Sequence, residues 1–327
     1  MKNEKGILTA MPFFFKGRHQ KDNKQESLLS GDKNPETVKV SGFVRPLLAE
    51  NLSMIKEMTG NSSDIVIRKL KTGAGEKIEI AVVYVGGITD EKAIHDFLLE
   101  SIMNSEELAE KEYGREVLET IAGDAVALGG VEKEKRLDKV LESLMAGNTI
   151  ILAEETAEAV ITTTKGGEKR SIKEPENQQA FRGSREGFIE ALDTNISLVR
   201  RIIKNPNLWV EKTTMGSVTK TDVAIMYING ICDPKTVKEV KKRMESIESD
   251  SILESGYIEQ FIEDTVFTTF PTVYHTERPD MVAGNLLEGR IAIFVDGTPF
   301  VLLVPAVFIQ FFQSVEDYYS RFDIATF

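Results

Sequence analysis

Apolar positions along this chain change rhythm repeatedly between a strand pattern and a helix pattern. A helical region over about 43–58 precedes a strand over 64–71. A Gly73-Ala74-Gly75 turn then leads into the apolar run from Ile78 to Val85, which reads as a second strand. Asp90 is placed to cap a helix that carries Ile94, Phe97, Leu98 and Ile102 on one face. Leu137, Val140, Leu141 and Leu144 form a further helical stripe that stops at Gly147. A hairpin of Thr149 to Leu152 with Thr156 to Thr163 closes the unit.

The same order then recurs. Lys77 through Asp90 lines up with Lys220 through Asp233, keeping Lys, Ala, Tyr, Gly, Ile and Asp in register about 143 residues on. Leu144 to Thr156 parallels Leu286 to Thr298, and Asn51 to Met54 parallels Asn195 to Leu198. In the second copy Pro234 follows the capping Asp233, and the helix face becomes Val237, Val240, Met244 and Ile247. Pro279 opens a helix that Gly289 ends, and Asp296-Gly297 predicts a two-residue turn between strands 292–295 and 298–304. The expectation is a mixed α/β fold of two homologous lobes from an internal duplication, covering 43–164 and 181–304. A linker over 165–180 joins them. A Lys/Asn/Gln/Ser-rich mobile tail (1–42) precedes them, and an amphipathic helix over 305–327 carrying Phe308, Phe311, Phe312 and Tyr319 follows.

Composition narrows the function. At 327 residues the chain exceeds the roughly 250–300 at which one core stops growing. A formal net charge of -12, with no basic stripe, argues against nucleic acid. The single cysteine, Cys232, excludes an internal disulfide framework and suggests a reducing compartment. No secretory signal is read at the start, and no stretch reaches the ~20 apolar residues of a membrane span, so the chain is expected to be soluble.

Catalytic chemistry finds little purchase. His19, His95 and His275 are scattered, and no metal or cofactor motif occurs. Thr72 to Lys77 has the glycines of a phosphate loop but sits between two strands, and Gly183 to Gly187 has the wrong spacing for a nucleophile elbow. Cys232 aligns with Thr89, which suggests a small turn residue. Two charged clusters remain, Glu174-Pro175-Glu176 with Arg182 to Gly187, and Thr276-Glu277-Arg278-Pro279-Asp280. Each suits either a structural corner or a contact with a ligand or partner, through Arg182, Arg185, Glu186, Glu277, Arg278 and Asp280. A helix over about 184–203 is expected to place Glu186 in its first turn.

These clusters resemble a known signature. Glu174-Pro175 through Phe181-Arg182-Gly183-Ser184-Arg185-Glu186-Gly187-Phe188 is similar to the EP…RGPREGF run of the spore germinant receptor A subunit (GerA) family, with Ser184 replacing a proline. Leu192, Thr194-Asn195-Ile196, Arg200, Ser255 to Glu259, Thr276 to Asp280, Leu287 to Arg290 and Val295 to Phe300 also have family counterparts. The resemblance implies a non-enzymatic N-terminal module acting in spore germination, at the spore inner membrane on its cytoplasmic side. It also implies a membrane part beyond this chain, and as partners a permease-like B subunit, a lipoprotein C subunit and other A subunits. Assembly and signal coupling is the leading role; direct binding of a small-molecule nutrient between the lobes is the alternative.

Overall fold

A computed structural model of the protein describes residues 42–125, 129–166, 184–263 and 272–306. The first half holds α1 (Leu48–Met58), β1 (Ile65–Thr72) and β2 (Ile78–Val85). A helical run follows, made of α2 (Glu91–Ala93), a π-helical stretch (Ile94–Leu99), α3 (Glu100–Asn104), α4 (Glu106–Ala109) and α5 (Gly114–Asp124). Then come β3 (Val131–Glu134), α6 (Leu137–Met145), β4 (Thr149–Ala153) and β5 (Ala159–Thr162). The second half runs α7 (Leu192–Ile202), β6 (Leu208–Met215), β7 (Thr221–Ile228), α8 (Pro234–Glu245), α9 (Ser255–Ile262), β8 (Tyr274–Thr276), α10 (Pro279–Leu287), β9 (Ile291–Val295) and β10 (Val301–Val304).

Two five-stranded sheets result, ordered β1-β2-β4-β5-β3 and β6-β7-β9-β10-β8, with every neighbouring pair antiparallel. The second order is the first with each strand replaced by its repeat partner. Register recurs as well: Val82 faces Ile151 in one sheet, and Ile225 faces Ile293 in the other. Each sheet is covered on both faces, which is why its central strands are apolar throughout instead of alternating. In the first lobe Ala81, Val83, Ile150 and Leu152 lie under α1 and α6, while Ile80, Val82, Ile151 and Val160 lie under the helical run over 91–124. In the second, Ala224, Met226, Ala292 and Phe294 pack against α7 and α10, and Val223, Ile225, Ile291 and Ile293 against α8 and α9.

The repeat reaches single side-chain hydrogen bonds. Asn51 Oδ1 accepts from Arg45 N at 2.8 Å while its Nδ2 donates to Arg45 O at 2.7 Å; Asn195 makes the same two bonds with Ile189, at 2.8 and 2.5 Å. Neither α1 nor α7 is capped by its own N-cap side chain. A distant carboxylate serves instead: Glu154 accepts from Leu48 N at 2.8 Å, and Asp296 from Leu192 N at 3.1 Å.

Several expectations need correction. The helix expected over 184–203 begins only at Leu192, and 184–191 carries no helix. That segment is held flat by Phe188 N donating to Glu277 O and Gly297 N donating to Glu190 O, both at 2.8 Å. The Asp296-Gly297 turn is longer than two residues, because β9 ends at Val295 and β10 starts at Val301. Asp296 N and Gly297 N are spent on Asp222 O and Glu190 O instead of closing a tight hairpin. The short edge strands β3 and β8 went unread, and Lys165 bridges Thr89 within the first lobe. The tail, most of the linker, Arg182 and the aromatic residues after Ala306 lie outside the described residues.

Candidate functional site: the seam between the lobes

The turn after α1 is where the first lobe meets the second. Gly60 and Asn61 both take positive φ (62° and 53°), and this reverses the chain so that Ser62, Ser63 and Asp64 run beside β6. Ser63 N donates to Val210 O at 2.8 Å, Val210 N donates to Ser62 Oγ at 2.9 Å, and Lys212 N donates to Ser63 Oγ at 3.0 Å. The outer edge of the second sheet is thereby occupied by a piece of the first lobe. A free edge strand exposes unpaired N–H and C=O groups, so this pairing also protects it.

Arg200 fixes the junction. It projects from α7 with 1% of its side chain exposed, facing Asp64 at 6%. Nε donates to Asp64 Oδ2 at 2.8 Å and Nη2 to Oδ1 at 3.1 Å, a two-point fork. Nη2 also reaches Ser62 Oγ at 3.3 Å, Nη1 donates to Asn205 O at 3.2 Å, and Met145 Sδ lies 3.8 Å from Nη1. Ser62 Oγ in turn donates to Asp64 Oδ1 at 2.7 Å. The guanidinium is therefore satisfied on all sides by two lobes at once, as a buried charge requires.

Close backbone approach completes the seam. A Cβ on Gly60 would lie 2.1 Å from the Trp209 ring, and one on Gly87 would lie 2.8 Å from Ser197 Cβ. Arg201 Nη2 donates to Gly87 O at 3.2 Å beside it. The repeat does not reproduce this interface. Ile203 and Pro206 stand where Gly60 and Ser63 would be expected, and proline lacks the N–H that Ser63 donates.

The described end of the first charged cluster, from Ser184 onward, meets the second cluster within the second lobe. Arg278, 1% exposed, forks onto Asp280 at 3.1 and 2.6 Å and donates to Ser184 O at 3.0 Å. Glu277 is buried and its carbonyl receives Phe188 N. Thus Glu277, Arg278 and Asp280 form the corner on which 184–188 is laid. Arg185 and Glu186 are exposed. Arg200 entered the sequence reading only as a position with a family counterpart, with no role given to it, and Asp64 only as the start of a strand. One signal was available: Arg200 falls four residues after Ile196 and eight after Leu192, on the apolar stripe of its own helix.

Other chemistry is sparse. Among the described residues no group of three His, Cys, Asp or Glu is placed to hold a metal ion. Burial, with the charge of Asp233 adding to it, pushes the Cys232 thiol up to about 11, away from a reactive thiolate. Among the same residues no helix is long and apolar enough to cross a membrane.

The chain matches the Bacillus/Clostridium GerA spore germination protein family over residues 53–327. It is 57% identical over 284 residues to spore germination protein KA of Bacillus subtilis, covering 87% of this chain and 52% of that one. It is 42% identical to an uncharacterized membrane protein, YfkQ, of the same organism, covering 85% and 53%. The chain thus spans about half the length of these curated relatives. Among solved structures, the N-terminal domain of the A subunit of the Bacillus megaterium spore germinant receptor GerK3 matches with a TM-score of 0.66 and 47% identity. The match covers 83% of this chain and all of that one. With the family match spanning most of its length and a same-fold relative at 47% identity, this chain belongs to the GerA spore germination protein family.

Proposed function

We propose that this region is a non-enzymatic module of a germinant receptor A subunit, whose two lobes act as one body to couple a membrane part to its partner subunits. The observation that carries the reading is the Arg200 fork onto Asp64, with the Ser62–Ser63 segment paired onto β6. Removing one partner of such a pair leaves the other charge buried and uncompensated, at a cost on the order of 3–5 kcal/mol, so the closed seam depends on both residues being present. The relatives' names support the setting: spore germination proteins, one membrane protein and one receptor A subunit. The partners in this reading are a permease-like B subunit, a lipoprotein C subunit and further A subunits at the spore inner membrane. The rival reading, a nutrient held between the lobes, places its ligand where the Arg200 guanidinium already has acceptors in every direction.

One experiment separates the two. Arg200→Ala and the apolar pair Arg200→Met with Asp64→Leu are placed in the full-length protein in spores, and both abundance and germination response are scored. Apolar replacement of both partners keeps such a junction closed, whereas removing one leaves a buried charge. Coupling through a rigid body predicts that the pair retains the response and the single variant loses it. Loss of the response in both, at normal abundance, would favour a ligand that needs the arginine and sink the proposal.

A further inference from the structure

The duplication gives each sheet an equivalent edge strand, and only one of the two edges is filled. β1 and β6 hold the same register on their neighbours, with Ile65 opposite Val85 and Leu208 opposite Ile228. Ile67 and Lys69 therefore stand where Val210 and Lys212 stand. In β6 the backbone of that pair points away from β7 and is bonded to Ser62 and Ser63 of the first lobe. In β1 the matching groups of Ile67 and Lys69 point away from β2, and no described residue bonds to them from that side. Burial follows the same contrast: Val210 is buried, whereas Ile67 is partly covered and Lys69 is exposed. An edge left open in this way is a template for one more strand.

The side chains along the edge sort by polarity. Val66, Ile67 and Leu70 are partly buried at the margins of the first lobe's core. Arg68, Lys69 and Lys71 are exposed, so the outward-facing charges of β1 are all positive in a chain of net charge -12. Arg68 lies beside the Tyr84 hydroxyl, and Lys71 Nζ meets Glu79 only at 3.6 Å with both side chains exposed. Lys69 forms no ion pair among the described residues. A second copy of the chain is a poor occupant on two counts. Pairing β1 with β1 of another molecule would bring these cations together. The segment of the second lobe that corresponds to 62–64 is 205–207, and there Pro206 lacks the N–H that Ser63 donates to Val210 O.

We propose that the β1 edge takes up an extended segment of a partner protein by strand addition, a segment apolar at one end and acidic at the other. Backbone bonds to Ile67 and Lys69 hold it, as Ser62 and Ser63 hold β6. Its apolar end lies beside Val66 and Ile67, and its carboxylates lie beside Arg68, Lys69 and Lys71, where cross-strand neighbours of opposite charge attract. The inference does not rest on the coupling role, because an open edge accepts a strand whether or not the lobes move as one body.

Amide hydrogen exchange of the whole chain, followed by NMR, tests it. The probes are two capped hexapeptides of three valines and three glutamates, one ordered for parallel and one for antiparallel pairing. In each, valine falls opposite Val66, Ile67 and Leu70, and glutamate opposite Arg68, Lys69 and Lys71. In the free protein the Arg68 amide should exchange slowly, because it faces β2, and those of Ile67 and Lys69 fast. One of the peptides should slow Ile67 and Lys69 saturably, by about tenfold or more, and leave Arg68 unchanged. The same peptide with lysine for glutamate should bind roughly tenfold more weakly or worse, as should the glutamate peptide to Lys69→Glu with Lys71→Glu. Lys69→Pro removes an outward N–H that the β1–β2 ladder does not use, and should abolish the slowing at Ile67. Where Lys69→Pro does not fold, the charge-reversed variant still carries the test. Slow exchange at Ile67 and Lys69 before any peptide is added, no slowing with either peptide, or equal binding of the lysine peptide would each overturn the proposal. Slowing that rises with protein concentration alone would also overturn it, by giving the edge to a second copy.

Discussion

Arg200 and Asp64, 136 positions apart in the chain, meet through two parallel hydrogen bonds of 2.8 and 3.1 Å with almost no side-chain surface left to water. Both charges were taken out of solvent, so the pair contributes less as a bond than as a constraint. Arg200→Ala should therefore destabilise the protein by about 3–5 kcal/mol, while Arg200→Met combined with Asp64→Leu recovers most of the loss. Arg200→Lys keeps the charge but not the fork, and should fall between them. Urea unfolding of the four proteins provides the measurement. Equal stability for Arg200→Ala and the parent would show that the seam is not closed in solution.

Gly60 provides a steric counterpart. Its backbone is left-handed, and any Cβ would enter the Trp209 ring at 2.1 Å. Gly60→Ala should cost at least roughly 1–3 kcal/mol from strain and overpacking and shift the Trp209 fluorescence. Gly123→Ala is the matched control: it lies in α5, where a Cβ meets nothing within 4 Å, and should stabilise by about 0.5–1 kcal/mol. The same sign of change in both variants would contradict the account of the seam.

Cys232 gives a pH prediction. Burial raises its thiol from 9.0 to about 11, so the folded state holds its proton more tightly than the unfolded state. The stability tied to that proton is fully present below pH 9 and is lost as pH rises toward 11. Tyr227 is shifted in the same direction, above its ordinary 10.0, and extends the decline at still higher pH. Native alkylation of Cys232 at pH 8 should accordingly be slow and become rapid in urea. Cys232→Ala should flatten the fall in stability between pH 9 and 11. Fast labelling of the native protein would contradict this.

What the sequence made legible was whatever periodicity and punctuation encode locally. The paired runs at Ile78 and Thr221, the Asp90 and Asp233 caps, and the stops at Gly147 and Gly289 all appear in the fold as read. Glu186 is expected in the first turn of a helix over 184–203, yet the helix starts only at Leu192. Backbone bonds of 184–190 to the distant Glu277 and Gly297 keep that stretch flat, and no local pattern reports them. β3 and β8 are short edge strands whose pairing is decided by β5 and β10. Arg200 carried a local signal, a charge on an apolar stripe, but its partner Asp64 looks like any residue before a strand. Long-range pairing of that kind becomes visible only once the chain has folded.

Arg185 and Arg278 make the last contrast, and it bears on the coupling role proposed above. Both belong to the clusters that first drew attention in the sequence. Arg278 is buried, forked onto Asp280 and bonded to Ser184 O, so Arg278→Ala should cost about 3–5 kcal/mol and lower the amount of protein. Arg185 follows that bonded carbonyl directly, on an extended segment whose exposed side faces solvent. Arg185→Ala should change stability by less than about 1 kcal/mol, the range of surface interactions. On the coupling role proposed above, Arg185 is an exposed residue of this corner at which contact with a neighbouring subunit can be tested. In spores carrying the full-length protein, Arg185→Ala is expected to leave abundance normal and to lose the germination response, with Arg185→Lys recovering little of it. Reduced abundance would make Arg185 structural, like Arg278. Normal abundance with a normal response would remove this segment from the coupling surface altogether.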